Sequence, residues 1–141
     1  MDGATIHRIF TERFIADSAP LALAGYQLDR SAGHDAIKVH VTEGATKRTL
    51  NGEGEGALSA FVDALMRHGG RRIAVVDYSE HAVGEGTNAE AVTYVQLNID
   101  GKRVAGVALD HDVVSASMKA VLSAWNRAER EAREAGGQKV A

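Results

Sequence analysis

The chain has 141 residues, no cysteine, one proline, 15 glycines and a formal charge of −3. That length suits one domain around a single buried core, and it excludes disulfides, a thiol nucleophile and a (β/α)8 catalytic barrel, which takes roughly 250 residues. The mild negative charge leaves no basic footprint for nucleic acid, no run approaches the ~20 apolar residues of a membrane span, and the N-terminus lacks the apolar stretch of a signal peptide, so a cytoplasmic location is expected.

The first predicted element is a short linker helix within residues 1–18: Thr5 to Ala16 places Ile6, Ile9, Phe10 and Phe14 at helical spacing, Thr5 can cap it, and Asp17 to Pro20 stops it. The chain then runs twice through three strands and a helix. In the first pass Leu21–Arg30, Ala36–Thr42 and Arg48–Gly54 read as strands, with Ile37, Val39 and Val41 alternating against Lys38, His40 and Thr42. Leu58, Phe61, Val62 and Leu65 follow as the buried stripe of a helix that Gly69-Gly70 ends. In the second pass Arg72–Ala82, Ala91–Ile99 and Lys102–Leu109 read as strands, the last two joined by the hairpin signal Asp100-Gly101. Asp112 is placed to cap a second helix whose apolar face is Val114, Met118, Val121, Leu122 and Trp125.

Gly52 pairs with Gly106 and Ala60 with Ala116 in this scheme, a weak internal duplication visible in order and pattern more than identity. The expected fold is α+β, two pseudo-repeated βββα units (about 21–70 and 72–128) packed together in a domain of residues 19–130. Residues 131–141 complete it as a charged, solvated helix end and a flexible tail, with Gln138 to Ala141 disordered.

Two stretches carry more chemistry than a plain core requires. Asp77 to Ala89, DYSEHAVGEGTNA, joins a strand to an aromatic, a histidine and a small-residue loop with room for a ligand or a close backbone contact. Gly52-Glu-Gly-Glu-Gly56 precedes a helix start and could present backbone amides to a carboxylate, although a structural strand-to-helix turn has the same pattern. Neither is a Walker loop or a dinucleotide fingerprint. His111, between Asp110 and Asp112, looks ligand-like but lacks metal-ligand spacing and reads better as a surface histidine beside a cap. His81 is expected to fix the Tyr78–Ala89 loop by a hydrogen bond. Ser115 and Ser117 lack an oriented base, so no catalytic residue, metal or cofactor is assigned.

The Gly-x-Gly-x-Gly turn, the Asp-Tyr-x-x-His-Ala-x-x-x-Gly-x-x-Ala signature, the Asp-x-Val-x-Ala-Ser helix start and the closing Asn126-Arg127 together resemble the C-terminal regulatory domain of 2-isopropylmalate synthase, the leucine-inhibited first enzyme of leucine biosynthesis. The resemblance runs from about Leu21 to Ala128. Ala57 and Asn88 depart from the proline and aspartate frequent there. What it implies is a non-catalytic, dimerising domain that binds L-leucine and reports to a catalytic barrel partner. Its pocket would be lined by Gly54, Gly56, Leu58 and Ser59 at the first turn, by Val75, Tyr78, Ala82 and Ala89 in the central signature, and by Leu109 near the third. Backbone carbonyls in the 77–89 loop are candidates for the effector's ammonium group. Two rivals remain: an oligomerisation module without an effector, and an isoleucine-sensing relative of the citramalate synthases.

Overall fold

The computed structural model describes residues 21–31, 33–84 and 89–140; the linker helix expected at Thr5–Ala16 lies outside them. The elements are β1 (Ala22–Ser31), β2 (His34–Glu43), β3 (Thr46–Gly54), α1 (Ala57–Gly69), β4 (Ile73–Val83), β5 (Glu90–Ile99), β6 (Lys102–Asp110) and α2 (Val113–Val140). They form two antiparallel three-stranded sheets, ordered β1-β2-β3 and β4-β5-β6. The expected pair of βββα units is therefore present. Asp100 and Gly101 both adopt positive φ, 51° and 86°, the backbone a tight two-residue hairpin demands. Gly70, in the left-handed region at the end of α1, returns its N–H to the Met66 carbonyl.

Each helix packs on its own sheet, and the two helices touch each other. Ile37, Val39 and Val41 of β2 and Val95, Leu97 and Ile99 of β5 turn inward onto Phe61, Leu65, Met118 and Leu122 in one continuous core. Burying each such side chain contributes about 1.5–3 kcal/mol.

In both units the helix crosses its third strand over a glycine. A Cβ at Gly52 would lie 2.1 Å from the Ala60 carbonyl oxygen and 2.5 Å from the Ala64 nitrogen; one at Gly106 would lie 2.1 Å from the Ala120 oxygen and 2.8 Å from the Ala124 nitrogen. This corrects the sequence pairing of Ala60 with Ala116, because the structural counterpart of Ala60 is Ala120. β6 runs two residues further past its glycine than β3 does, and α2 starts one turn further ahead of its crossing than α1. The duplication extends to an irregularity: β1 shifts register between Leu23 and Gly25, β4 between Val75 and Asp77, and each shift is followed by an inward tyrosine, Tyr26 and Tyr78.

The two first strands differ in what covers them. β1 is held by the other unit's helix: Asn126 Nδ2 donates to the Leu21 carbonyl at 2.9 Å and its Oδ1 accepts the Leu21 N–H at 3.2 Å. β4 is open on both faces between its ends, with Val75, Val76 and Tyr78 at 39%, 43% and 37% exposure. The charged run on α2 is tied back to the body and not merely solvated: Arg71 binds both Glu129 and Asp100, and Lys102 lies 3.2 Å from Glu131. α2 continues to Val140, through residues for which the sequence suggests only a flexible tail.

Candidate functional site

The two helix starts, offset from each other by one turn relative to the glycine crossings, are finished differently. At α2, Asp112 caps: its Oδ2 accepts the Ser115 N–H at 3.1 Å, the Ser115 hydroxyl at 2.7 Å and, from the other unit, the Tyr26 hydroxyl at 2.6 Å. The Tyr26 hydrogen bond, then those of Ser115, hold the Asp112 carboxyl below its ordinary range, and the same carboxylate pushes the Tyr26 phenol up. Beside it, burial would raise Asp110, but the hydrogen bonds from Lys119 Nζ, at 2.6 Å, and from the Asp112 backbone outweigh it and leave that carboxyl lowered.

At α1 the cap position is Gly56, in extended backbone, with no side-chain cap. A Cβ there would meet nothing within 4 Å, whereas one at Gly54 would lie 2.8 Å from both the Ala60 nitrogen and the Ser59 Cβ. Gly54 thus lets β3 turn tightly onto the helix start, while Gly56 leaves space open in front of it. Leu58 packs partly into the core and Ser59 is exposed.

The central signature divides between the two faces of β4. Val75, Tyr78 and Ala82 pair with Leu97, Val95 and Ala91 and share the inner face. There the Tyr78 hydroxyl lies 2.9 Å from Glu80 Oε2 and 2.8 Å from Ser117 Oγ. Burial first of all, with Glu80 in support and Ser117 and Thr93 opposing, raises the Tyr78 phenol. Leu109 pairs with Val92, which in turn stands opposite His81, on the outer face of the same sheet, so the structure separates Leu109 from Tyr78 and Ala82. His81 makes an edge contact with Tyr94, ring centroids 6.0 Å apart, in place of the expected hydrogen bond among the described residues. The Ala89 carbonyl lies 3.4 Å from His111 Nδ1.

The expected residues therefore form two groups in one chain, Gly54–Ser59 in the first unit and Val75, Tyr78 and Ala82 in the second, with no hydrogen bond joining them among the described residues. An open pocket of about 220 Å³ on the outer face, lined by Asp77, Tyr94, Gln96, Val107 and Arg127 among others, includes none of them. No group of three metal-ligating side chains occurs among the described residues, and no helix there is long and apolar enough to cross a membrane. Sequence reasoning missed Tyr26, whose hydroxyl reaches the capping Asp112 from the other unit.

Fold and site together define the class, a duplicated βββα domain. The family model described as the LeuA allosteric (dimerisation) domain matches residues 2–129, and the chain belongs to that family. It is 37% identical over 141 residues to a 2-isopropylmalate synthase of Pseudomonas fluorescens strain Pf-5 and 38% identical over 139 residues to one of Pseudomonas putida strain GB-1; each match covers 96% of this chain and 24% of the relative. A 2-isopropylmalate synthase of Brucella melitensis is 37% identical over 102 residues, 72% of this chain and 18% of the relative. The chain thus spans about a quarter of the length of the first two of these curated relatives.

Proposed function

We propose that the chain binds L-leucine as a homodimer and serves as the feedback-sensing part of a 2-isopropylmalate synthase, its catalytic barrel supplied outside these residues. The observation that carries this is the contrast between the helix starts. At α2 the position is filled by a carboxylate that receives backbone amide, serine hydroxyl and tyrosine hydroxyl. At α1 the cap position is a glycine without a side-chain cap, open to approach, where first-turn amides favour an anion. An amino acid's carboxylate would do at α1 what Asp112 does at α2.

Gly54, Gly56, Leu58 and Ser59 form that half of the pocket. Val75, Tyr78, Ala82 and Ala89 form the half for the branched side chain, and Leu109 would contribute from another side of the sheet. Since the two halves lie in different units, a second copy whose α1 start meets the open face of β4 would join them. Leucine would then favour one packing of the paired domains, a population shift. Calorimetry of the purified chain with leucine, isoleucine and valine tests this. Leucine is expected to bind most tightly, with the margin over its isomer set by about 1–3 kcal/mol for one displaced methyl. Tighter isoleucine binding would transfer the assignment to the citramalate-synthase type, and binding of none would leave a bare oligomerisation module.

A further inference from the structure

We propose that the outer face of the β4-β5-β6 sheet carries a second ligand site, separate from the effector's, which holds a small zwitterion of amino-acid size between Asp77 and Arg127. It goes beyond the function above and stands whether or not leucine binds at the α1 start.

Of the closing pair Asn126-Arg127, Asn126 clamps Leu21, while Arg127 passes around the edge strand β6. Its Nη1 donates to the Ala105 carbonyl at 3.4 Å, and the side chain lines the open pocket of about 220 Å³ on the outer face. Asp77 lines the same pocket from β4. Its Oδ1 receives the Tyr78 N–H at 2.9 Å, and its Oδ2 has no partner among the described residues. Neither charge forms an ion pair among those residues. Asp77, Gln96 and Ala105 stand opposite one another in a row across the three strands. Neighbouring strands lie about 4.8 Å apart, which puts about 10 Å between β4 and β6. The carboxylate and the guanidinium therefore flank the pocket without neutralising each other. Tyr94, 41% exposed, and Val107 supply an apolar flank beside them.

A guanidinium with donors to spare takes a carboxylate, and the open oxygen of Asp77 takes an ammonium. With bond lengths near 1.5 Å, the nitrogen and carboxylate oxygens of an α-amino acid lie roughly 3 Å apart. One charge-assisted hydrogen bond of about 2.8 Å at each end lets such a molecule bridge the row. A simple anion or a simple cation would leave one pole unmatched. The pocket is smaller than the ~300 Å³ at which sites for drug-sized ligands begin, which excludes a nucleotide or a coenzyme. Successive side chains of β4 point to opposite faces, so Asp77 and Tyr78 serve different sites.

The test titrates the nitrogen-15-labelled chain with α-aminobutyrate, and with butyrate and propylamine, which lack its amino group and its carboxylate respectively. Saturating shifts of the Tyr94, Gln96 and Ala105 amides are expected with α-aminobutyrate and not with either single charge. Asp77→Asn keeps an oxygen for the Tyr78 N–H, and Arg127→Gln changes a side chain outside the core, so both variants should fold, as circular dichroism will show. Each should weaken the probe by roughly tenfold to a hundredfold, the range of a charged hydrogen bond. The same shifts should persist in Gly56→Val, where the α1 start is blocked. No saturable shift in wild type, unchanged affinity in R127Q and D77N, or equal binding of butyrate overturns the proposal. Shifts lost in G56V would return the probe to the effector's pocket and overturn it too. Shifts at these amides that follow protein concentration and not the probe would make the row a contact between copies, which also overturns it.

Discussion

Two tyrosines at equivalent positions hold different partners: Tyr26 donates to the capping Asp112, Tyr78 to Glu80 on its own strand. Removing the cap by Asp112→Ala should lower stability by about 1 kcal/mol in urea unfolding, and Tyr26→Phe by a similar or smaller amount. The pH dependence follows from the directions of the shifts. Asp110 and Asp112 are depressed, so the stability they add is present above the ordinary carboxylate pKa near ~4 and is lost as pH falls through their folded values. Tyr26 is raised, so its share is complete below about pH 10 and is lost as pH rises through its folded value. Urea titrations across the acid range should therefore show Asp112→Ala losing less stability on acidification than wild type. An unchanged acid slope would mean that Asp112 is not the group responsible.

The glycine crossings are the features that position the helices on their sheets. Gly52→Ala and Gly106→Ala should each cost about 1–3 kcal/mol, the range of overpacking, because the added carbon meets helix backbone and not a side chain that could swing aside. A Cβ at Gly56 meets nothing within 4 Å, so Gly56→Val should leave the melting temperature nearly unchanged while abolishing leucine binding by calorimetry; a valine variant that binds normally would remove Gly56 from the site. Much of this element-level order was legible in the sequence. The alternation in β2, the helical stripe of Phe61, Val62 and Leu65, the Asp100-Gly101 turn and the Asp112 cap all express local rules that packing reinforces. The repeat offset was not, since it depends on how far β6 extends before it turns. Nor was the openness of β4: Ile73, Val75 and Val76 read as an apolar strand, but whether such a strand is covered depends on a partner surface that a single chain's pattern does not reveal. The candidate site divides the same way. Gly54 to Ser59 and the Tyr78–Ala89 signature were visible as unusual stretches and acquired roles through resemblance, whereas Tyr26 reaches Asp112 only because the two units pack together.

At the scale of the whole molecule, a strand left open on both faces in one unit and an uncapped helix start in the other are suited to covering by a second copy, in a mutual contact closed by a two-fold axis. Sedimentation is expected to show a dimer that leucine tightens; monomer alone at concentrations well above micromolar, with and without leucine, would exclude that assembly. The place where α1 ends against α2 has a further use. Trp125, the chain's single tryptophan, is 3% exposed and lies so close to Gly69 that an added Cβ would come within 2.2 Å of its ring, while the adjacent Asn126 clamps Leu21. Its indole therefore stands at the meeting point of both units, and the chain carries its own optical gauge. Blue emission would mark the halves closed upon each other, and a red shift would time their parting, without any label.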